Sequence, residues 1–260
     1  MFGFPEIAHQ KFKQNFLRTV VFNFNYNTIP YDLKANSSKI HTLFKDILPA
    51  ALEIKNIRNI NLSIGNDKIE TTTKHVENDV VLTLKNKTNN KILTITNQSI
   101  NYNIAGSDYD SFIEIKKDLE KIKILLTKVF NVILLTSTNL RKINVVELNN
   151  NISGQLTYDI FNDIVKQGNL TNPNIDFVLN NITVLTMKNK ENSQLILKYG
   201  INSPSNTLGL LNHILIDIDI QLLNKNSKEI VKNIESANNE SFNIFSWVIS
   251  DKFVNEVLNK

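Results

Sequence analysis

Cysteine is absent from the sequence, and glycine, proline and tryptophan are scarce, at seven, five and one residues. Without cysteine there is no disulfide framework, no thiolate nucleophile and no cysteine-ligated metal. Gly154, Gly168, Gly200 and Gly209 stand alone, so no Gly-x-Gly-x-x-Gly, Gly-x-x-x-x-Gly-Lys-Ser/Thr or Gly-x-Ser-x-Gly pattern is present. Those absences remove the glycine-rich phosphate cradle and the nucleophile elbow from the readings the sequence supports. Long apolar runs are also missing. Ile122–Leu135 and Leu208–Leu223 are interrupted by Lys, Asn, Thr or Asp, whereas a membrane-spanning helix needs about 20 largely apolar residues. The opening Met1-Phe2-Gly3-Phe4-Pro5-Glu6 puts a proline and an acid where an export signal carries a basic region and an apolar run. The expectation is a cytoplasmic protein that does not enter a membrane.

What is present fits a globular chain. Of 260 residues, 42% are hydrophobic and 21% charged, enough apolar material for a sizeable core. Asparagine is dense from Asn23 to Asn259 and is accompanied by many Lys and Ile, the mixture an A+T-rich coding sequence produces. The pI near 9.0 points toward nucleic acid. The net charge is only +4, however, and the lysines are scattered.

The first strand is Arg18–Tyr26, where Val20, Phe22, Phe24 and Tyr26 alternate with smaller or polar residues and define one buried face. Ser37 or Ser38 is placed to cap a helix carrying Ile40, Leu43, Phe44, Ile47 and Leu48, before Pro49. A strand near Ile57–Ile64, a polar loop, and strands at Asp79–Leu84, Ile92–Thr96 and Ser99–Ile104 follow, with Lys85–Asn90 as a hairpin loop. Ser107-Asp108-Tyr109-Asp110 has the spacing of a capping box before a helix in which Phe112, Ile115, Leu119, Ile122, Leu126 and Val129 form a stripe.

The same order of elements returns. An alternating segment at Val132–Leu148 leads to a helix at Gln155–Lys166 and a loop at Asn172-Pro173. Strands follow at Asp176–Met187, Ser193–Ile201 and Leu210–Leu223, then a helix opened by Ser227 and striped by Ile230, Ile234, Ala237, Phe245 and Val248, and a short helix at Asp251–Leu258. The fold class is therefore α+β: two similar halves, 1–131 and 132–260, each an antiparallel meander packed by a long amphipathic helix. The halves are tightly packed or form one domain. Only the order of elements repeats, so duplication and coincidence both remain open.

Asp217 and Asp219 lie two residues apart on a strand, point to one face, and are the candidate ligands for a hard cation. Alternating Asp and Ile is equally how a half-exposed strand keeps one face wet. His9, His41, His75 and His213 fall in unrelated segments without the spacing of helical zinc ligands. Lys116, Lys117, Lys121, Lys123 and Lys128 mix with Glu114, Asp118 and Glu120, as on a solvated helix face. Phe242 and Trp247 lie off the last helix's stripe. They either widen its buried face or anchor a partner.

Three segments carry a family resemblance: Asn15–Phe22, Leu140-Arg141-Lys142-Ile143-Asn144, and the end from Ile214–Asp219 to Phe245–Ser250. Together they resemble a sporadically distributed family of uncharacterised prokaryotic proteins of about this length. That family shares an opening strand, a central Leu-Arg-x-x-Asn segment and a terminal helix ending in Phe-x-x-x-Ile-Ser/Thr. The resemblance covers nearly the whole chain and implies no activity; its patchy distribution implies genes that travel with mobile elements or defence clusters. Arg141 and Asn144, three apart on a strand, face opposite sides, either as partner-binding residues or as a structural polar pair.

The sequence is thus read as a non-catalytic interaction protein, an accessory subunit of a prokaryotic defence or mobile-element system, with a protein partner or a second copy of itself and no cofactor. Nucleic-acid binding through a basic sheet or groove is the alternative.

Overall fold

A computed structural model describes residues 2–7, 16–50, 52–56, 59–65, 68–74, 80–147, 180–202 and 213–259. The first half begins with β1 (Leu17–Asn25) and α1 (Ser37–Phe44), followed by β2 (Glu53–Asn56), β3 (Asn59–Gly65), β4 (Lys68–Lys74), β5 (Val80–Lys85), β6 (Lys91–Ile95) and β7 (Ser99–Ala105). Next comes α2 (Phe112–Ile124), prolonged by a π-turn at Leu125–Val129. The second half holds β8 (Leu134–Glu147), β9 (Asn180–Lys188), β10 (Ser193–Asn202), β11 (His213–Asn226), α3 (Ile230–Val248) and α4 (Asp251–Phe253), the last running into a π-turn.

Nine of these strands form one antiparallel sheet in the order β2-β5-β6-β7-β1-β8-β11-β10-β9, while β3 and β4 pair with each other. The α+β class is as expected. β1 and β8 pair at the sheet's centre, with Phe22 opposite Leu140, so a single sheet runs across the expected boundary at 131/132. Alternation sets the covered face. Val20, Phe22 and Phe24 of β1 lie in register with Ile104, Tyr102 and Ile100 of β7, and all are buried. On β11, Ile214, Ile216, Ile218, Ile220 and Leu222 continue the same face. Against it α2 buries Ile115, Leu119 and Ile122, and α3, which packs over β8 and β11 and against α2, buries Ile230, Ile234, Ala237, Ile244 and Val248. Each buried Leu or Ile side chain is worth about 1.5–3 kcal/mol, so this helix-covered face is the core.

Several local readings are corrected. Residues 68–74, read as part of a polar loop, form β4, and Glu53–Asn56 adds an edge strand the sequence did not announce. Asn36, not Ser37 or Ser38, occupies the N-cap position of α1, without a side-chain capping bond; its Nδ2 donates to Asp32 O instead. The cap of α2 is Ser111, whose hydroxyl accepts from the Glu114 N–H at 3.5 Å; Ser107 lies four residues upstream in a short 3₁₀ turn. Ser227 does not open α3. It sits in a 3₁₀ turn, buried, donating to the carbonyl of Val132, while the Asn226 side chain accepts from Lys228 N–H. The helix expected at 155–166 lies outside the described residues.

The asparagines take over work that glycine does elsewhere. Asn89, Asn131, Asn192 and Asn224 have φ of 59°, 53°, 57° and 52°, the left-handed region that asparagine tolerates better than most residues. In the β5–β6 and β9–β10 loops another asparagine closes the turn. Asn86 Oδ1 accepts from the N–H groups of Asn90 and Lys91, and Asn189 Oδ1 from those of Glu191 and Ser193.

Candidate functional site: the open face of the sheet

With the helices on one side, the odd-numbered residues of β1, β8 and β11 point the other way. The register lines up a row across seven strands: Thr83 on β5, Thr94 on β6, Asn101 on β7, Asn23 on β1, Asn139 on β8, Gln221 on β11 and Gln194 on β10. These seven are amides or hydroxyls and half-buried, and the same register continues to Glu53 on β2 and Lys188 on β9. Alongside run Asn103, Val21, Arg141, Asp219 and Ile196; one step to the other side, Asn25 Nδ2 donates to Ser137 Oγ at 2.7 Å. The Oδ1 atoms of Asn23, Asn101 and Asn139 are enclosed and have no partner among the described residues.

The charges beside the row on this face are Arg141, Asp217 and Asp219, with Lys198 of β10 opposite Asp217 in the register. Arg141 Nε and Nη2 donate to Asp217 Oδ1 and Oδ2 at 2.8 and 2.7 Å, a bidentate pair. Asp217 is only 3% exposed. The pair also raises the arginine's pKa, first through the hydrogen bond to Asp217. Asp219, opposite Arg141 in the register, has its carboxyl pKa raised above the ordinary value, chiefly by burial. Arg141, Asp217 as a near neighbour, and a hydrogen bond from Asn139 are the smaller influences.

The sequence candidates are thus sorted. Asp217 and Asp219 do share a face, but Asp217 is neither solvated nor free for a cation, because the guanidinium occupies it. Among the described residues no cluster of three metal-ligating side chains occurs. Arg141 and Asn144 do face opposite sides. Arg141 keeps 41% of its side chain exposed on the open face. Asn144 is buried under the helices, where its Nδ2 donates to Ile216 O at 3.2 Å. Trp247 packs edge-on against Phe4 with ring centroids 5.1 Å apart, and Phe242 is half-buried. His41 lies on α1 and His213 at the start of β11, whereas His9 and His75 lie outside the described residues.

One group escaped the sequence reading. Lys142 sits on the covered face, opposite Val20 and Ile218. Its Nζ donates to Asn238 Oδ1 at 2.8 Å, lies 5.3 Å from the ring centre of Tyr109, and shares Asn238 Oδ1 with the Tyr109 hydroxyl, which donates at 3.0 Å. Burial lowers its pKa to about 8. Parity gave no signal, because the even positions of β8 mix Leu140 and Val146 with Thr136, Thr138 and Asn144.

No family model matches the chain, and no curated protein matches it. A solved structure described as "KH domains" is similar over 97% of this chain and 91% of its own, at 9% identity. Its TM-score of 0.24 is too low to inform fold or function.

Proposed function

We propose that the protein is a non-catalytic interaction module whose open sheet face receives a protein partner. The observation that carries this is the amide and hydroxyl row from Thr83 to Gln194, set in a face whose central charges largely neutralise one another. Interface centres are depleted of charge, and they supply hydrogen bonds at regular intervals. The half-buried amides and hydroxyls of the row give a partner polar edges with charge only at its two ends, Glu53 and Lys188. Its role as an accessory subunit, of the prokaryotic defence or mobile-element kind that the family resemblance implies, belongs to the same proposal, as does a cytoplasmic location.

Nucleic acid is the second reading, since Asn and Gln side chains also read base edges. It is disfavoured by charge. Phosphate binding requires a basic footprint, and on this face Lys85 is engaged by Glu53 at 2.6 Å and Arg141 by Asp217, which leaves Lys198, opposite Asp217, and Lys188, opposite Gln194, as the basic groups a phosphate would use. Among the described residues, moreover, no helix is long and apolar enough to cross a membrane.

The test compares wild type with an Asn23→Arg, Asn139→Arg variant by light scattering after size exclusion and by affinity capture from the source cell. A partner or second copy retained in stoichiometric amount by the wild type and lost from the variant is expected. A strictly monomeric wild type that retains nothing overturns the reading. Oligonucleotide affinity that falls steeply with salt and is strengthened by the two added arginines replaces it with the second.

A further inference from the structure

Among the described residues the nine-stranded sheet ends in β2 on one side and β9 on the other. The outer side of an edge strand presents main-chain N–H and C=O groups to any strand that lies alongside, and proteins blunt such edges with short strands, charge, proline or bulges. β2 is blunted. It has four residues, and Glu53 and Lys55 on it form an ion pair at 3.7 Å. β9 lacks these devices over nearly its whole length. It runs nine residues, Asn-Asn-Ile-Thr-Val-Leu-Thr-Met-Lys, contains no proline, and is uncharged until the last of them. Its register with β10 is unbroken from Asn180 to Lys188, so no bulge turns it away. Val184 lies at its middle and is 56% exposed, and Thr186 beside it is exposed as well.

The main chain of such an edge accepts another strand, and the side chains of β9 select a second β9. Residues opposite one another on antiparallel strands share a face, so a two-fold axis perpendicular to the sheet sets residues of equal parity against each other. With the axis at Val184 all nine residues find a partner: Val184 meets Val184 of the second copy, Leu185 meets Thr183, Thr186 meets Ile182, Met187 meets Asn181, and Lys188 meets Asn180. Any other centre leaves an end of the strand unpaired. Self-pairing sets no like charges opposite each other, since the single lysine faces an amide, and it brings β-branched residues together at the axis, where cross-strand pairs stabilise. A contact of this symmetry closes on itself. We infer that two copies of this chain pair antiparallel through β9, with Val184 on the two-fold axis, into one sheet that ends in the short, charged β2 on each side. The contact is at the sheet's edge, separate from the open face, and stands whether or not that face binds.

Light scattering after size exclusion, on the full chain over a range of concentrations, tests this. Wild type is expected to be a dimer. Val184→Lys, which opposes two ammonium groups at the axis, is expected to weaken it at least about tenfold, whereas Val184→Thr, still β-branched and uncharged, keeps it. The open-face variant Asn23→Arg, Asn139→Arg also keeps it. A monomeric wild type overturns the inference, and so does a dimer that Val184→Lys leaves intact. A dimer lost only in Asn23→Arg, Asn139→Arg belongs to the open face, and that result separates the two readings. If Val184→Lys does not fold, Thr186→Lys, at the neighbouring exposed position, is read in the same way. Failure of both to fold shows that the chain itself covers this edge, which overturns the inference too.

Discussion

Arg141 grips Asp217 across two adjacent strands, and the two parallel hydrogen bonds leave the carboxylate only 3% exposed while the guanidinium edge stays open to solvent. The carboxylate depends on the arginine more than the arginine depends on it. Arg141→Ala abandons a charge inside the sheet surface, and the expected loss is about 2–3 kcal/mol, below the full penalty for a completely buried pair because the arginine itself is half-exposed. Arg141→Lys restores the charge but not the fork, so it recovers only part of the loss. Urea unfolding midpoints measure both. An Arg141→Ala midpoint within error of wild type would show that the pair contributes nothing.

Two residues along, the same chemistry has the opposite sign. Asp219 has its pKa raised by burial, so the native state holds a proton that the unfolded chain has already released. Stability therefore falls as pH rises from the ordinary carboxylate range through the raised value, and above it the ionised Asp219 is a cost. Asp219→Asn removes that cost and is expected to be neutral or stabilising at pH 7, flattening the acid limb of the stability profile. Asp217→Asn, which breaks the bidentate pair, is expected to destabilise. Matched denaturation curves at pH 4 and pH 7 separate the two; a common sign at pH 7 refutes the assignment.

Lys142 gives an alkaline signature. With a folded pKa of about 8 against an ordinary 10.5, the unfolded chain binds the proton more tightly. The penalty for the buried charge is complete below pH 8 and is relieved as pH rises toward 10.5, so stability should climb across that interval. Tyr26, Tyr102 and Tyr109 work the other way above pH 10, because their raised pKa values keep protons in the native state that the unfolded chain gives up. The rise is therefore best read between pH 8 and pH 10. Lys142→Met should gain about 1–3 kcal/mol at pH 7 and abolish the slope. Urea titrations at pH 7, 8, 9 and 10 measure this, and an unchanged slope in the variant assigns it elsewhere.

What the sequence disclosed follows from which properties are local. Alternation at Val20, Phe22 and Phe24 and the stripe from Ile115 to Leu126 are set by burial on one face, so both read directly. The shared face of Asp217 and Asp219 follows from strand geometry alone. By contrast, β4 reads Lys-Ile-Glu-Thr-Thr-Thr-Lys, without apolar alternation, and so passed for a loop. The row from Thr83 to Gln194 was out of reach for a different reason: its members are far apart in sequence and are aligned only by register, which nonlocal pairing decides. The partners of Arg141 and Lys142 were equally hidden. Each lies across the fold, on β11 and α3 respectively.

The scarcity of glycine gives the remaining positions separate meanings, and two of them separate sterics from backbone dihedral. A Cβ built on Gly106 falls 1.5 Å from the carbonyl oxygen of Leu17 and 2.5 Å from its carbon, both backbone atoms of β1. No rotamer relieves such a clash. Either the end of β7 or the start of β1 must move, and the neighbouring pair Thr19 and Ala105 is the last of the β1–β7 ladder. Gly106→Ala is therefore expected to cost about 3 kcal/mol or more, at the upper end of overpacking. Gly3 has nothing within 4 Å of the same built atom, but its φ is +85°, so Gly3→Ala carries only the dihedral penalty of about 1–2 kcal/mol, confined to the segment on α3. Urea unfolding measures Gly106→Ala, and Trp247 emission measures Gly3→Ala. Gly106→Ala within about 0.5 kcal/mol of wild type would mean that β1 and β7 separate there at almost no cost, and the close approach would then no longer explain the glycine.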